Sequence, residues 1–100
     1  SPLDKDDNGF ISRVTPTGEI AELKWIDGSK EEVTLNAPKG TAFLGDALVV
    51  ADIDHIRFFD RTTGAPLQQI EIPGATFLND VVASRDGASV FVTDTGMQMK

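Results

Sequence analysis

The sequence predicts an all-β fold made of antiparallel sheet units, and three observations carry that prediction. Residues 41–72 hold four short runs in succession, TAFLG, ALVVAD, HIRFFD and PLQQIEI, separated by Gly45-Asp46, Ile53-Asp54 and Thr62-Thr63-Gly64. Those separators are turn chemistry of the kind that joins neighbouring antiparallel strands. The pattern then restarts: Val90-Phe91-Val92-Thr93-Asp94 repeats Leu48-Val49-Val50-Ala51-Asp52 at a spacing of roughly 40 residues, the length of one stacked sheet unit. Residues 11–18 (ISRVTPTG) in turn echo residues 56–64 (IRFFDRTTG). The count is therefore an outer half unit, a whole unit and an inner half unit. Four-stranded meanders of this size are the blades of β-propellers, so the fold class read is a propeller fragment of about two blades' worth of sheet, whereas a ring closes at about four to eight. Its expected divisions are 1–34 for the outer half-blade and connection, 35–73 for the full blade and 74–100 for the inner half-blade. An independent small β-sandwich is the alternative, and it would need no partner.

Residues 3–9 (LDKDDNG) form an acidic turn in which Asp4, Asp6, Asn8 and Gly9 match the D-x-D-x-N-G opening of a calcium-binding loop. The bidentate carboxylate due at the twelfth position falls on Thr15, and no helical pattern flanks the loop. Carboxylates and a glycine at a bend suit a plain solvated turn equally, which is the preferred reading, with Asp4, Asp6 and Asn8 as the candidate surface ligands. Residues 10–14 alternate apolar and polar, and Thr15-Pro16-Thr17-Gly18 turns the chain into residues 19–26 (EIAELKWI). Ala, Glu, Leu and Lys are good helix formers. The run is nevertheless short, is bounded by Gly18 and Asp27-Gly28 and follows its own hairpin partner, so a strand with a bulge is expected.

Residues 27–38 (DGSKEEVTLNAP) make a charged connection with an apolar patch at Val33 and Leu35. In the whole unit, residues 47–51 are almost wholly apolar, as a strand covered on both faces must be. The last run includes Gln68, Gln69 and Glu71 and is expected nearer solvent. After Pro73-Gly74, residues 77–83 (FLNDVVA) match residues 38–43 in place and polarity.

Composition bounds the function. The 40% hydrophobic and 25% charged balance is that of an ordinary globular chain, and a chain of this length buries about 60–65% of its unfolded surface. With no cysteine, neither a disulfide framework nor a thiolate metal site is possible. The net charge of −7 disfavours nucleic acid and anionic membrane surfaces as partners. No apolar run approaches the roughly 18 residues of a membrane span, and Ser1-Pro2-Leu3-Asp4 lacks the pattern of a signal peptide. A soluble protein of unassigned compartment is expected.

Several residues are of types that can carry chemistry. His55, the single histidine, adjoins Asp54 in an inter-strand turn, where a hydrogen-bonding role outweighs that of a base. Asp52 and Asp94 stand at equivalent places in the repeat, which argues for carboxylates accepting backbone N–H bonds. Ser84 and Ser89 have no adjacent His and no Gly-x-Ser-x-Gly context. Trp25 and the phenylalanines are expected to pack between sheets.

Residues 35–40 (LNAPKG), 50–52 (VAD), 77–82 (FLNDVV) with Asp86-Gly87, and 92–96 (VTDTG) together resemble the gluconolactonase, regucalcin and lactonase-like six-bladed propellers, a pattern shared with NHL-repeat and strictosidine-synthase-like proteins. The resemblance implies that the chain is a piece of such a ring. It also implies a divalent metal, usually calcium, held in a central channel at the starts of the innermost strands, with hydrolysis of lactones or esters as the activity. Asn79, with Asp80 beside it, matches an amide-ligand position of that site. The competing reading is that Asn79 and Asp80 cap a strand entrance. The expected function is a fragment that self-associates into a closed ring, three chains giving six blades, without turnover of its own. The alternative is a calcium-dependent lactonase-like hydrolase acting in the channel of the assembled ring.

Overall fold

The computed structural model describes residues 6–96 as eight strands with no helix among them. They are β1 (Phe10–Val14), β2 (Ile20–Asp27), β3 (Pro38–Leu44), β4 (Ala47–Asp52), β5 (His55–Asp60), β6 (Pro66–Glu71), β7 (Leu78–Ala83) and β8 (Val90–Asp94). They form three antiparallel sheets, β1-β2, β3-β4-β5-β6 and β7-β8. The fold is all-β and antiparallel, as the sequence predicts, with two, four and two strands in the successive sheets.

The first hairpin turns at Gly18, whose φ of 93° suits a residue without Cβ. The Thr15 hydroxyl accepts the Glu19 N–H at 3.1 Å, closing the turn. β2 is a strand with the expected bulge: its register against β1 slips on either side of Arg13. Lys24 has a φ of 52° there, and its N–H donates to the Ser12 hydroxyl rather than to a backbone carbonyl.

The middle sheet explains why β4 is so apolar. Residues opposite one another in a ladder share a face, so Thr41, Phe43, Leu48, Val50, Arg57 and Phe59 lie on one side. Ala42, Val49, Ala51, Ile56 and Phe58 lie on the other. On the first side Leu48, Val50 and Phe59 form a core with Ile26 of β2 and with Val33 and Leu35 of the connection. On the second, Val49, Ala51 and Ile56 form a core with Leu78 and Val81 of β7. Both faces of β4 are therefore covered, and each fully buried side chain of this size contributes about 1.5–3 kcal/mol. β6 is exposed along its whole length, as its glutamines and Glu71 require.

β3 and β7 run side by side across the join between sheets. Gly40 makes this approach possible: a Cβ there would stand 2.6 Å from the Asp80 Cα and 3.0 Å from the Asn79 carbonyl oxygen. The join is fixed by the turn between β4 and β5, where the Ile53 carbonyl accepts the Leu78 N–H at 2.6 Å. Ile53 has a φ of 56°, an unfavourable conformation for a β-branched residue. Burial of its side chain and the bond to Leu78 hold it there.

Hydrogen bonds and register relate the end sheets to the middle one. In the first hairpin Gly28 N–H bonds the Gly9 carbonyl, Thr15 N–H bonds Glu19 and Gly18 N–H bonds Thr15; in β5–β6 the same three places are taken by Ile72 to Asp54, Asp60 to Ala65 and Gly64 to Asp60. The β7–β8 hairpin has them as well, as Thr95 to Phe77, Ser84 to Ser89 and Gly87 to Ser84, so these bonds are common to the three hairpins. At the other end, β7 slips one residue against β8 between Leu78 and Asp80, as β3 slips against β4 between Pro38 and Gly40. β7-β8 is the counterpart of the inner half, β3-β4.

Candidate functional site

The chemistry-bearing residues converge on one end of the sheets, where β3 and β7 begin and where β4 and β8 end. At its centre is Asp52, fully buried at the last position of an apolar strand. Its carboxylate accepts the Asn36 N–H at 2.9 Å, the Ala37 N–H at 2.5 Å and the Arg57 Nε–H at 2.5 Å. Arg57 is itself 4% exposed and donates through Nη1 to Gln69 at 2.6 Å. A buried carboxylate is tolerated only when paired and fully hydrogen-bonded, and here one oxygen set clamps the entry of β3 while the guanidinium neutralises the charge.

Asp94 repeats the collar on the next sheet. It accepts the Thr76 N–H at 2.9 Å, the Phe77 N–H at 3.2 Å, the Gly96 N–H at 2.7 Å and the Thr76 hydroxyl at 2.6 Å. The Thr76 hydroxyl first, then the Gly96 and Thr76 N–H groups, hold its carboxyl far below the usual carboxylate range. The structural role expected of Asp52 and Asp94 is the one they play. Unlike Asp52, Asp94 is exposed.

The other acidic residues behave as turn formers. Asp7, between the two calcium-loop candidates Asp6 and Asn8, has a φ of 55° and accepts the Leu35 N–H at 2.6 Å, while its own N–H donates to Asn36 Oδ1 at 2.7 Å. That reciprocal pair ties the amino-terminal turn to the connection. Asp6 and Asn8 are both exposed, and Asp4 lies outside the described residues. His55, which opens β5 rather than lying in the turn, meets Asp54 Oδ1 through Nδ1 at 2.8 Å, the hydrogen-bonding role expected of it. The Ser84 hydroxyl donates to Asp86 at 2.6 Å and accepts the Ser89 N–H at 3.1 Å, which engages both serines in the β7–β8 turn.

Asn79 and Asp80 sit at the bulge that opens β7, in the register of Lys39 and Gly40 of β3. The Asn79 amide donates to the Thr95 hydroxyl at 3.4 Å, and Asp80 Oδ1 accepts the Val81 N–H at 2.9 Å. Calcium takes six to eight oxygen ligands, and among the described residues no group of three or more His, Cys, Asp or Glu side chains is placed to hold a metal. Asn79 and Asp80 are two side chains already bonded at the strand entrance, a set that does not fit calcium by itself.

No protein-family model matches the chain, and neither a curated protein nor a solved structure matches it. The geometry alone carries the functional reading. No helix among the described residues is long and apolar enough to cross a membrane.

Two functional residues escaped the sequence reading. Arg57 is the one charge among the apolar residues of IRFF (56–59), and a cation at such a place demands a buried anion. Asp52, the lone anion ending the adjacent strand, was that signal. Asp7 gave none beyond its carboxylate neighbours, because its partner lies 28 residues away.

Proposed function

We propose that the chain is a self-assembling scaffold unit of propeller type, in which copies complete one another's half sheets and three of them close a ring of six. One observation carries this reading: two-stranded sheets flank the four-stranded one, and β7-β8 repeats the inner pair β3-β4 in its bulge and in the aspartate that ends it, which leaves β1-β2 to serve as an outer pair. An outer half from one copy and an inner half from the next make one four-stranded sheet. Each chain then contributes two sheets, and rings of this architecture close at about four to eight. The six-bladed proteins that the sequence resembles favour three chains. The contact is heterologous, head to tail, and a rotation that closes gives a ring rather than a filament. The unit acts through shape, with no turnover of its own.

Solution mass tests this. Light scattering coupled to size exclusion, with and without calcium, is expected to give three times the 10.8 kDa chain mass. A folded particle of one chain's mass overturns the reading.

A further inference from the structure

One face of the middle sheet is covered over only part of its width. β2 and the connection lie over Leu48, Val50 and Phe59, while Phe43 of β3, on that same face, is 55% exposed. Beside it runs the edge of β1, which pairs with β2 alone among the described residues. Between the two lies a recess of about 200 Å³ lined by Ile11, Ser12, Trp25, Thr41, Phe43 and Leu48. Arg61 forms its outer wall, stacked on the Phe43 ring at 3.9 Å. At the far end of the molecule, Val82 and Phe91 face each other across β7 and β8 on the side turned away from the core, 58% and 65% exposed.

The molecule contains a template for joining these surfaces. In the middle sheet β4 meets β5 through the pairs Leu48–Phe59, Val49–Phe58 and Val50–Arg57. β8 is the counterpart of β4, ending in Asp94 where β4 ends in Asp52, and β1 is the counterpart of β5, with Ile11 opposite Ile26 as Ile56 is opposite Ile70. Phe91 thus stands where Val49 stands, and Val14 where Phe59 stands. Val49 and Phe59 are 0% and 1% exposed, whereas Phe91 and Val14 are 65% and 61% exposed. The positions are alike, and what differs is a missing neighbour. β1 and β8 are also equal in length, five residues each.

We propose that the recess is the seat of the β7–β8 hairpin of a second copy of this chain. That hairpin adds β8 antiparallel to the open edge of β1 and lays Val82 and Phe91 over Phe43 and Leu48. The register between copies is Val90 with Val14, Phe91 with Arg13 and Val92 with Ser12. Main-chain bonds along the edge supply attachment, as in other strand additions, and the apolar pair supplies selection of the hairpin's correct face. This proposal rests on the self-assembly reading and specifies its joint.

Paired cysteines test the register. Residues opposite one another across an antiparallel ladder are within disulfide reach, and a one-residue slip turns them to opposite faces. Under mild oxidation the Arg13→Cys/Phe91→Cys chain is expected to cross-link between copies into covalent three-chain species, at least ten times faster than the control Arg13→Cys/Val92→Cys. Should loss of the Phe91 ring weaken association, Ile11→Cys/Thr93→Cys samples the same register with Phe91 in place. Equal or absent cross-linking by both pairs, in a particle with the mass of three chains, overturns the joint and leaves assembly standing. A folded one-chain mass for the unmodified protein overturns both. Phe91→Lys, at an exposed position, is expected to reduce the mass to one chain with an unchanged circular dichroism spectrum; full assembly by that variant also overturns the proposal.

Discussion

Replacing Asp52 by Ala tests what holds the middle sheet to the chain that enters it. The substitution removes one carboxylate that accepts the Asn36, Ala37 and Arg57 donors and leaves a guanidinium that is 4% exposed without its anion. Breaking a buried pair by removing one partner costs about 3–5 kcal/mol, most of it the uncompensated charge, and the two orphaned N–H groups fall within that figure. Against the roughly 5–15 kcal/mol by which native domains are stable, this is a large share. With a urea slope near 1.5 kcal/mol/M, the unfolding midpoint should fall by about 2–3 M, followed through the single tryptophan, Trp25, at one fixed protein concentration. The double variant Asp52→Ala/Arg57→Met also removes the stranded charge and should recover at least about 1 kcal/mol, since apolar replacement of a buried pair is often close to neutral. An Asp52→Ala chain within about 1 kcal/mol of the unmodified protein, or a double variant less stable than the single one, refutes the reasoning.

Gly40→Ala should separate β3 from β7, because the new Cβ meets the backbone of Asn79 and Asp80 and neither can move as a flexible side chain does; overpacking of this kind costs about 1–3 kcal/mol, read as a lower urea midpoint, whereas Gly45→Ala has open space around its Cβ and pays only for its φ of 58°. Acid should destabilise the fold. Hydrogen bonds lower the carboxyls of Asp27, Asp60, Asp86 and Asp94 from their ordinary 3.8, so the stability they contribute is complete above that value and is lost as pH falls through the lower folded values. Thermal midpoints are expected to be flat from about pH 7 to pH 5 and to decline below about pH 4, and a midpoint that rises on acidification contradicts this. Calcium is expected to leave the thermal midpoint unchanged, since Asn79 and Asp80 are engaged by Thr95 and by the Val81 N–H at the strand entrance; a midpoint raised by calcium, together with lactone hydrolysis abolished by a chelator, moves the reading to the enzyme alternative.

Much of the fold was legible because its signals are local. Alternation, apolar runs and turn residues mark all eight strands, and the repeat of VVAD by VTD places Asp52 and Asp94 in one role. The start of β3 was read at Thr41, but the strand begins at Pro38. A proline without an N–H is acceptable at a first strand position, and the bulge that follows spares it a ladder bond. What was not legible depends on packing across the chain. Arg57 has its anion five residues earlier on another strand, Asp7 binds a connection far along the sequence, and Gly40 is small because of Asp80 rather than because of a turn. The candidate channel residues illustrate the same limit: an Asn-Asp pair at a strand entrance matches a ligand and a cap equally, and only the bonds to Thr95 and Val81 show how the side chains are engaged in one chain.

The two collars differ in a way that bears on what drives assembly. Asp52 is neutralised by Arg57, but the residue of β1 in the place of Arg57 is Ser12, so a composite sheet brings no cation to Asp94. Asp94 has no need of one, because the Thr76 hydroxyl and three N–H groups already satisfy it. The joint then consists of main-chain bonds and apolar contact, with no ion pair from the collar. Each chain meanwhile carries a net charge of −7, so bringing copies together raises self-repulsion, which falls as the Debye length shrinks from about 30 Å at 0.01 M salt to about 8 Å at 0.15 M. Assembly should therefore strengthen with salt: at a concentration where one-chain and three-chain species coexist, raising ionic strength over that range is expected to move mass toward three chains. Interfaces held by charge pairs respond in the opposite direction. A three-chain particle that dissociates as salt rises would mean that charged residues outside the recess hold it together, and the apolar joint of Val82 and Phe91 on Phe43 would be the wrong account of its cohesion.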